Sequence, residues 1–211
     1  MRYEAILFDF DGVLVDSERV HCECWQEILT PYGVQLDWKT YCEHGLGISD
    51  RDLLAHLCRK SDRSADLVER LMTEYPRKTE LFRSRMLERQ PFSTAVLELL
   101  AELRSYTLAV VTSSGRYEVE PILIQAGVHD FFRTIVYGSD VSRLKPAPDP
   151  YLLALERLGV STGLAIEDTD AGEASARASG LDVLRIHTQC EMPTLLRDKL
   201  ARSAGTAGLL G

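Results

Sequence analysis

Ala5-Ile6-Leu7-Phe8-Asp9-Phe10-Asp11-Gly12-Val13 decides the fold class of this chain. Its first four residues are an unbroken apolar run without in–out alternation, and they read as a strand buried on both faces, as in a parallel sheet. Asp9 and Asp11 follow at the strand's carboxyl edge, where open α/β sheets bind ligands. Two carboxylates held so close disfavour each other's charge unless a cation or the chemistry of an anionic substrate requires them. They point to metal-assisted catalysis with one carboxylate as nucleophile. The competing reading is a plain Asp11-Gly12 turn with no chemistry. On this stretch alone both stand.

Beyond Gly12 the pattern changes. From about Ser17 to about Gln90 apolar residues recur at helical spacing, as in Trp25-Ile28-Leu29 and Leu67-Leu71-Met72. Pro31 and Gly33 punctuate the first helix, Gly45 and Gly47 open a loop before Leu53-Leu54-Leu57, and Pro91 closes the block. Helix and strand then alternate. Helices are expected over Thr94–Arg104, Tyr117–Gln125 (capped by Gly127, with a kink at Pro121), Pro150–Leu158 (stopped by Gly159) and Ala171–Ala178. Strands are expected over Leu108–Val111, Thr134–Tyr137, Leu164–Ile166 and Val183–Ile186. This alternation predicts an α/β fold, a Rossmann-like parallel sheet with helices on both faces. The helical block is then an insertion after the first strand. The domains are expected to be a discontinuous core, 1–16 with 91–211, and an all-helical cap, 17–90, placed to act as a lid. Ala204-Gly205-Thr206-Ala207-Gly208 reads as a loose tail.

Composition narrows the function. The 211 residues are 45% hydrophobic and 27% charged, an ordinary globular balance. A net charge of −8 argues against a nucleic-acid or membrane-surface partner and makes an anionic substrate depend on local cations. No secretory signal or membrane-spanning stretch is visible, and five cysteines without framework spacing fit a reducing cytoplasm. Cys22, Cys24, Cys42 and Cys58 share a region with His21, His44 and His56, but their spacings match no zinc template. Buried, small apolar side chains are the better reading of these cysteines.

Each later strand ends in polar residues of a useful kind. Thr112-Ser113-Ser114-Gly115 offers hydroxyls and backbone N–H groups to an oxyanion, unless Ser114 is only a helix cap. Lys145, before Pro146 and Pro148, supplies a compact cation for phosphate, unless it is a solvated loop lysine. Glu167-Asp168-Thr169 is a second acidic cluster, suited to Mg²⁺, unless it merely caps the next helix. Singly none decides. Together they supply a nucleophile, a general acid, an oxyanion donor, a phosphate cation and a metal site.

Those four ordered motifs resemble the haloacid dehalogenase superfamily, in its Mg²⁺-dependent phosphatase and phosphomutase branch, over essentially the whole chain. The resemblance implies that Asp9 is the nucleophile that becomes an aspartyl-phosphate and that Asp11 is the general acid and base. It implies that Thr112 and Lys145 hold the phosphoryl oxygens. Mg²⁺ would be held by Asp9, the Asp11 backbone carbonyl and Asp168, with Glu167 as a further ligand. An acid at the position of Asp11 separates this chain from the metal-free dehalogenases and the phosphonate-cleaving branch.

The block 17–90 is most similar to the cap of β-phosphoglucomutase and related sugar-phosphate phosphatases. The similarity implies substrate contacts for His21, Gly47, Ser49 and Lys78, and, from the core, for Ser113, Ser114 and Arg116. Asp50 stands where the mutase has a phosphate-binding arginine, and Gly115 where it has a lysine. A carboxylate at Asp50 is expected to repel a second phosphate, which favours hydrolysis over mutase chemistry. The expectation is thus a monomeric, cytoplasmic, Mg²⁺-dependent phosphatase of a small sugar or polyol phosphate, with a phosphomutase as the alternative. A signalling receiver domain or a non-catalytic phosphate-binding protein fits less well. A receiver needs no helical insert, and all four motifs here are chemically complete.

Overall fold

The computed structural model describes residues 3–61 and 65–207. The run Ala5–Phe8 forms β1, with all four side chains buried. Five helices follow: α1 (Glu18–Leu29), α2 (Trp38–His44), α3 (Asp50–Lys60), α4 (Ala65–Met72) and α5 (Tyr75–Glu88). The chain then alternates through α6 (Thr94–Glu102), β2 (Thr107–Val111), α7 (Arg116–Gln125), β3 (Thr134–Val136), α8 (Asp149–Leu158), β4 (Gly163–Glu167), α9 (Asp170–Ala178), β5 (Asp182–Arg185) and α10 (Met192–Ala207).

The strands form one parallel sheet in the order β3-β2-β1-β4-β5. The central strand explains the unbroken apolar run. Ala5 and Leu7 pack with Ala109, Val111, Ala165 and the α8 residues Tyr151, Ala154 and Leu155, while Ile6 and Phe8 are as fully buried on the opposite face. Phe8 meets Phe132 edge-on there, with ring centroids 6.3 Å apart. Connections leave β1 toward β2 on one side and return to β4 on the other, so β1 lies at the switch point where such sheets bind ligands. Phe8 is in register with both Val110 and Ile166, which brings the carboxyl ends of β1, β2 and β4 level.

The chain divides into two compact units, Met1–Asp16 with Gln90–Gly211, and Ser17–Arg89. The second has its own core, in which Trp25, Ile28 and Leu29 of α1 pack with Leu53, Leu54 and Leu57 of α3 and with Val68 and Leu71 of α4. Cys22, Cys24 and Cys58 are buried there and Cys42 is half-buried, all as free thiols. Burial pushes the Cys22 thiol up to about 11, which keeps it protonated and apolar.

α7 continues through Pro121 as a single helix. The carboxyl-terminal segment corrects the expectation of a loose tail. Residues 204–207 belong to α10, while Gly208 lies outside the described residues. Met192 and Leu196 are fully buried, and Arg197 clasps Glu102 of α6 through two 2.8 Å bonds. A helix anchored in this way extends without a new nucleation cost, since nucleation rather than propagation is the costly step. No helix among the described residues is long and apolar enough to cross a membrane.

Candidate active site

Immediately after β1 the backbone closes on itself. Leu14 and Val15 both donate to the Phe10 carbonyl, at 2.9 and 3.2 Å, and Gly12 donates to that of Val15 at 2.8 Å. The Asp9 N–H is held by the Ile166 carbonyl at 3.0 Å. This turn fixes Asp9 and Asp11 against the end of β4. Gly12 has φ +75°, and a Cβ on it would lie 2.0 Å from Oδ2 of Asp168, so only glycine allows that carboxylate to come so near.

Lys145 joins the strand ends. Its ammonium donates to Asp9 Oδ1 at 2.9 Å, to the Val111 carbonyl at 2.8 Å and to Glu167 Oε1 at 2.6 Å, with only 5% of the side chain exposed. The solvated-loop reading of this lysine is therefore excluded. Burial works against its charge, but Asp9 and Glu167 outweigh that and hold its pKa above the ordinary lysine value. Burial pushes the Asp9 carboxyl well up. Lys145 opposes this, while Glu167, Asp168 and Asp11 add to it. One lysine thus bonds two buried carboxylates, and half-exposed Asp11 and Asp168 add further negative charge beside Asp9.

Glu167 is fully buried, and its Oε1 also accepts from the buried Tyr151 hydroxyl of α8. Its Oε2 is buried without a hydrogen-bond partner. Carboxylate oxygens of Asp9, Glu167 and Asp168 lie within 4.8 Å of one another, the only such gathering of metal-ligating groups among the described residues. An orphaned buried oxygen in an all-oxygen donor set, short of positive charge, fits a hard divalent cation such as Mg²⁺. The cysteines and histidines of the helical unit make no comparable group.

Neither acidic nor hydroxyl motif is a mere helix cap. Thr169 caps α9, accepting from Gly172 N at 3.1 Å, which leaves Glu167 and Asp168 to the site. Gly115 occupies the cap position of α7, and Ser114 instead donates its hydroxyl to Asp11 Oδ2 at 2.6 Å. Thr112 is buried, and its Oγ1 accepts from Ser114 N at 3.0 Å. Ser113 is exposed beside it. Arg116 points to a different environment: it bonds Glu120 at 3.0 Å and lies 4.5 Å over the Tyr137 ring.

In the helical unit the candidate residues have structural partners of their own. Ser49 caps α3, and Gly47 has φ +67° in the preceding loop. His21 stacks on Phe82, ring centroids 3.9 Å apart. Lys78 is buried, its ammonium 5.4 Å over the same ring and 3.5 Å from Asp50 Oδ2. Asp50 Oδ1 accepts from the Trp25 indole at 2.6 Å. Asp50, expected as a repelling carboxylate, is therefore compensated by Lys78 within its own unit, a pairing across 28 positions that a residue-by-residue reading misses. Tyr151 and Gly172 are also missed. A Cβ on Gly172 would lie 1.9 Å from Glu167 Oε2. The available signal was a glycine in the first turn of a helix, a residue that costs about 1 kcal/mol there and needs a reason.

A family model for haloacid dehalogenase-like hydrolases matches residues 6–186. The chain belongs to that family. Among relatives of the hydrolase, the fructose-1-phosphate phosphatase YqaB of Escherichia coli is 32% identical over 191 residues, 88% of this chain and 97% of that protein. A phosphorylated carbohydrates phosphatase of Thermotoga maritima is 30% identical over 185 residues, 85% of this chain and 82% of that one. A crystal structure of a CbbY variant from Rhodobacter sphaeroides with xylulose-(1,5)bisphosphate matches with a TM-score of 0.75 and 29% identity, over 87% of this chain and 85% of that one.

Proposed function

We propose that this hydrolase releases inorganic phosphate from a small sugar or polyol monophosphate through an aspartyl-phosphate on Asp9. The observation that carries the reading is the buried cluster itself: Lys145 bonded to both Asp9 and Glu167, beside Asp11 and Asp168, at the switch point of the sheet. The sugar-phosphate phosphatases among its relatives support the substrate class.

In this mechanism an Asp9 carboxylate oxygen attacks phosphorus and the ester P–O bond breaks. Asp11 gives its proton to the departing oxygen. Water, deprotonated by Asp11, then attacks the phosphorus of the aspartyl-phosphate, which releases phosphate and restores Asp9. Asp9, Glu167 and Asp168 would hold the cation, with the Asp11 backbone carbonyl as a further donor. When bound, Mg²⁺ supplies the positive charge that lets an anionic carboxylate approach an anionic ester. Thr112 donates to a phosphoryl oxygen, and Lys145 orients Asp9 and opposes the burial that disfavours its charge. The helical unit is assigned to substrate selection, with His21, Gly47, Ser49 and Lys78 as its candidate contributors and Ser113 and Arg116 as those of the core, while Ser114, first expected among them, is engaged with Asp11 instead. Hydrolysis is preferred to phosphomutase chemistry because Asp50 compensates Lys78, which lessens the cationic character that would retain a bisphosphate.

Asp9→Asn tests the mechanism. It is expected to abolish phosphate release from sugar phosphates and from 4-nitrophenyl phosphate in the presence of Mg²⁺, with circular dichroism unchanged. Wild-type turnover by that variant would remove Asp9 from the reaction. Supplying β-glucose 1-phosphate with a bisphosphate primer separates the two chemistries: free phosphate is expected, and predominant glucose 6-phosphate would establish the mutase.

A further inference from the structure

We propose that Ser114 is a positioning residue for the general acid, holding the Asp11 carboxyl in line with the leaving oxygen rather than contacting substrate. The inference rests on the phosphatase reading above. Ser114 Oγ donates to Asp11 Oδ2 at 2.6 Å, a short bond made across 103 positions of sequence. The donor is itself fixed. Ser114 N–H is held by Thr112 Oγ1 at 3.0 Å, and its carbonyl accepts from Gly138 N at 3.0 Å. Both backbone polar groups being occupied, the hydroxyl is presented from a rigid β2 exit and not from a mobile loop. Thr112, the residue assigned to the phosphoryl oxygen, supplies one of those two anchors. The group that orients the acid is thereby locked to a group assigned to the phosphate.

The chemistry makes a specific demand. As the Asp9–phosphorus bond forms and the ester P–O bond breaks, the proton of Asp11 moves to the leaving oxygen. A poor leaving group needs that proton, and a good one departs as the anion without it. A misaimed Asp11 therefore slows esters of weakly acidic alcohols and spares esters of strongly acidic phenols. A lost substrate contact would slow esters of one shape alike.

The test is a series of aryl esters differing only in ring nitro groups, phenyl, 4-nitrophenyl and 2,4-dinitrophenyl phosphate, with kcat/KM measured for wild type, Ser114→Ala and Ser114→Thr at saturating Mg²⁺. In Ser114→Ala the loss is expected to be about tenfold on phenyl phosphate, a fraction of what a general acid contributes, and under about twofold on the dinitrophenyl ester. The plot of log kcat/KM against leaving-group pKa steepens, and Ser114→Thr, which keeps the hydroxyl, restores the shallower slope. A parallel drop across all three esters overturns the inference and makes Ser114 a binding residue. An unchanged plot overturns it as well. Failure of the wild type to release phosphate would instead sink the phosphatase reading, and this inference with it.

Discussion

Lys145 has three N–H donors, and all three are taken up inside the protein, by Asp9, the Val111 carbonyl and Glu167. Such a side chain is more than a phosphate contact. It is the cation against which two buried carboxylates are folded, and removing it leaves like charges facing each other in a dry site. Breaking a buried ion pair by deleting one partner costs roughly 3–5 kcal/mol, far more than the packing of a lysine stem. Lys145→Met keeps most of the stem and none of the charge. Its metal-free form is expected to lose stability by roughly that amount in urea titrations. Added Mg²⁺ is expected to recover part of the loss, because the same carboxylates then regain a counter-charge. A midpoint equal to wild type would show that Asp9 and Glu167 do not depend on the lysine for their charge.

Within elements, the contest between helix propensity and site geometry is sharpest in α9. Gly172 lies in its first turn, where alanine would be favoured by about 1 kcal/mol on propensity alone. The added Cβ would lie 1.9 Å from Glu167 Oε2, however, and Glu167 cannot easily turn away, since Lys145 and Tyr151 both hold its Oε1. Overpacking a buried site costs about 1–3 kcal/mol, so geometry outweighs propensity. Gly172→Ala is expected to lower the urea midpoint, whereas a rise would mean that Glu167 is freer than its bonds imply. The same conflict marks what a sequence reveals at this scale. Capping at Thr169 was one of two readings of its motif, whereas Ser49, expected as a substrate contact, caps α3. Gly172 shows only that something is unusual, because the carboxylate that requires it comes from a neighbouring strand.

Across the whole molecule, the sheet was legible because both-face burial leaves an unmistakable imprint: Ala5–Phe8, Leu108–Val111 and Leu164–Ile166 are unbroken apolar runs ending in polar residues. The acid cluster was legible for the same reason, since parallel strands deliver their carboxyl ends to one edge. Pairings between distant segments were not. Nothing local to Asp50 announces Lys78, nothing local to Ser114 announces Asp11, and the small residues after Ser203 hide a helix secured through Arg197 and Glu102. One property belongs to the assembled site alone, its shortage of positive charge: Asp9, Asp11, Glu167 and Asp168 are gathered by folding, with Lys145 as their cation. A ligand that binds only the folded state stabilises it by mass action, about 2.7 kcal/mol at one hundred times its dissociation constant. For a chain of this size each kcal/mol moves the Tm by roughly 2–4 °C, so saturating Mg²⁺ is expected to raise it by about 5–10 °C. Asp168→Asn is expected to behave oppositely in two ways. With one like charge fewer, its metal-free Tm rises, while its Mg²⁺-dependent shift largely disappears. Thermal unfolding of both proteins across a Mg²⁺ titration checks the pair of outcomes without recourse to activity. A wild-type Tm indifferent to Mg²⁺ would mean that the carboxylates are balanced by protons and not by a metal.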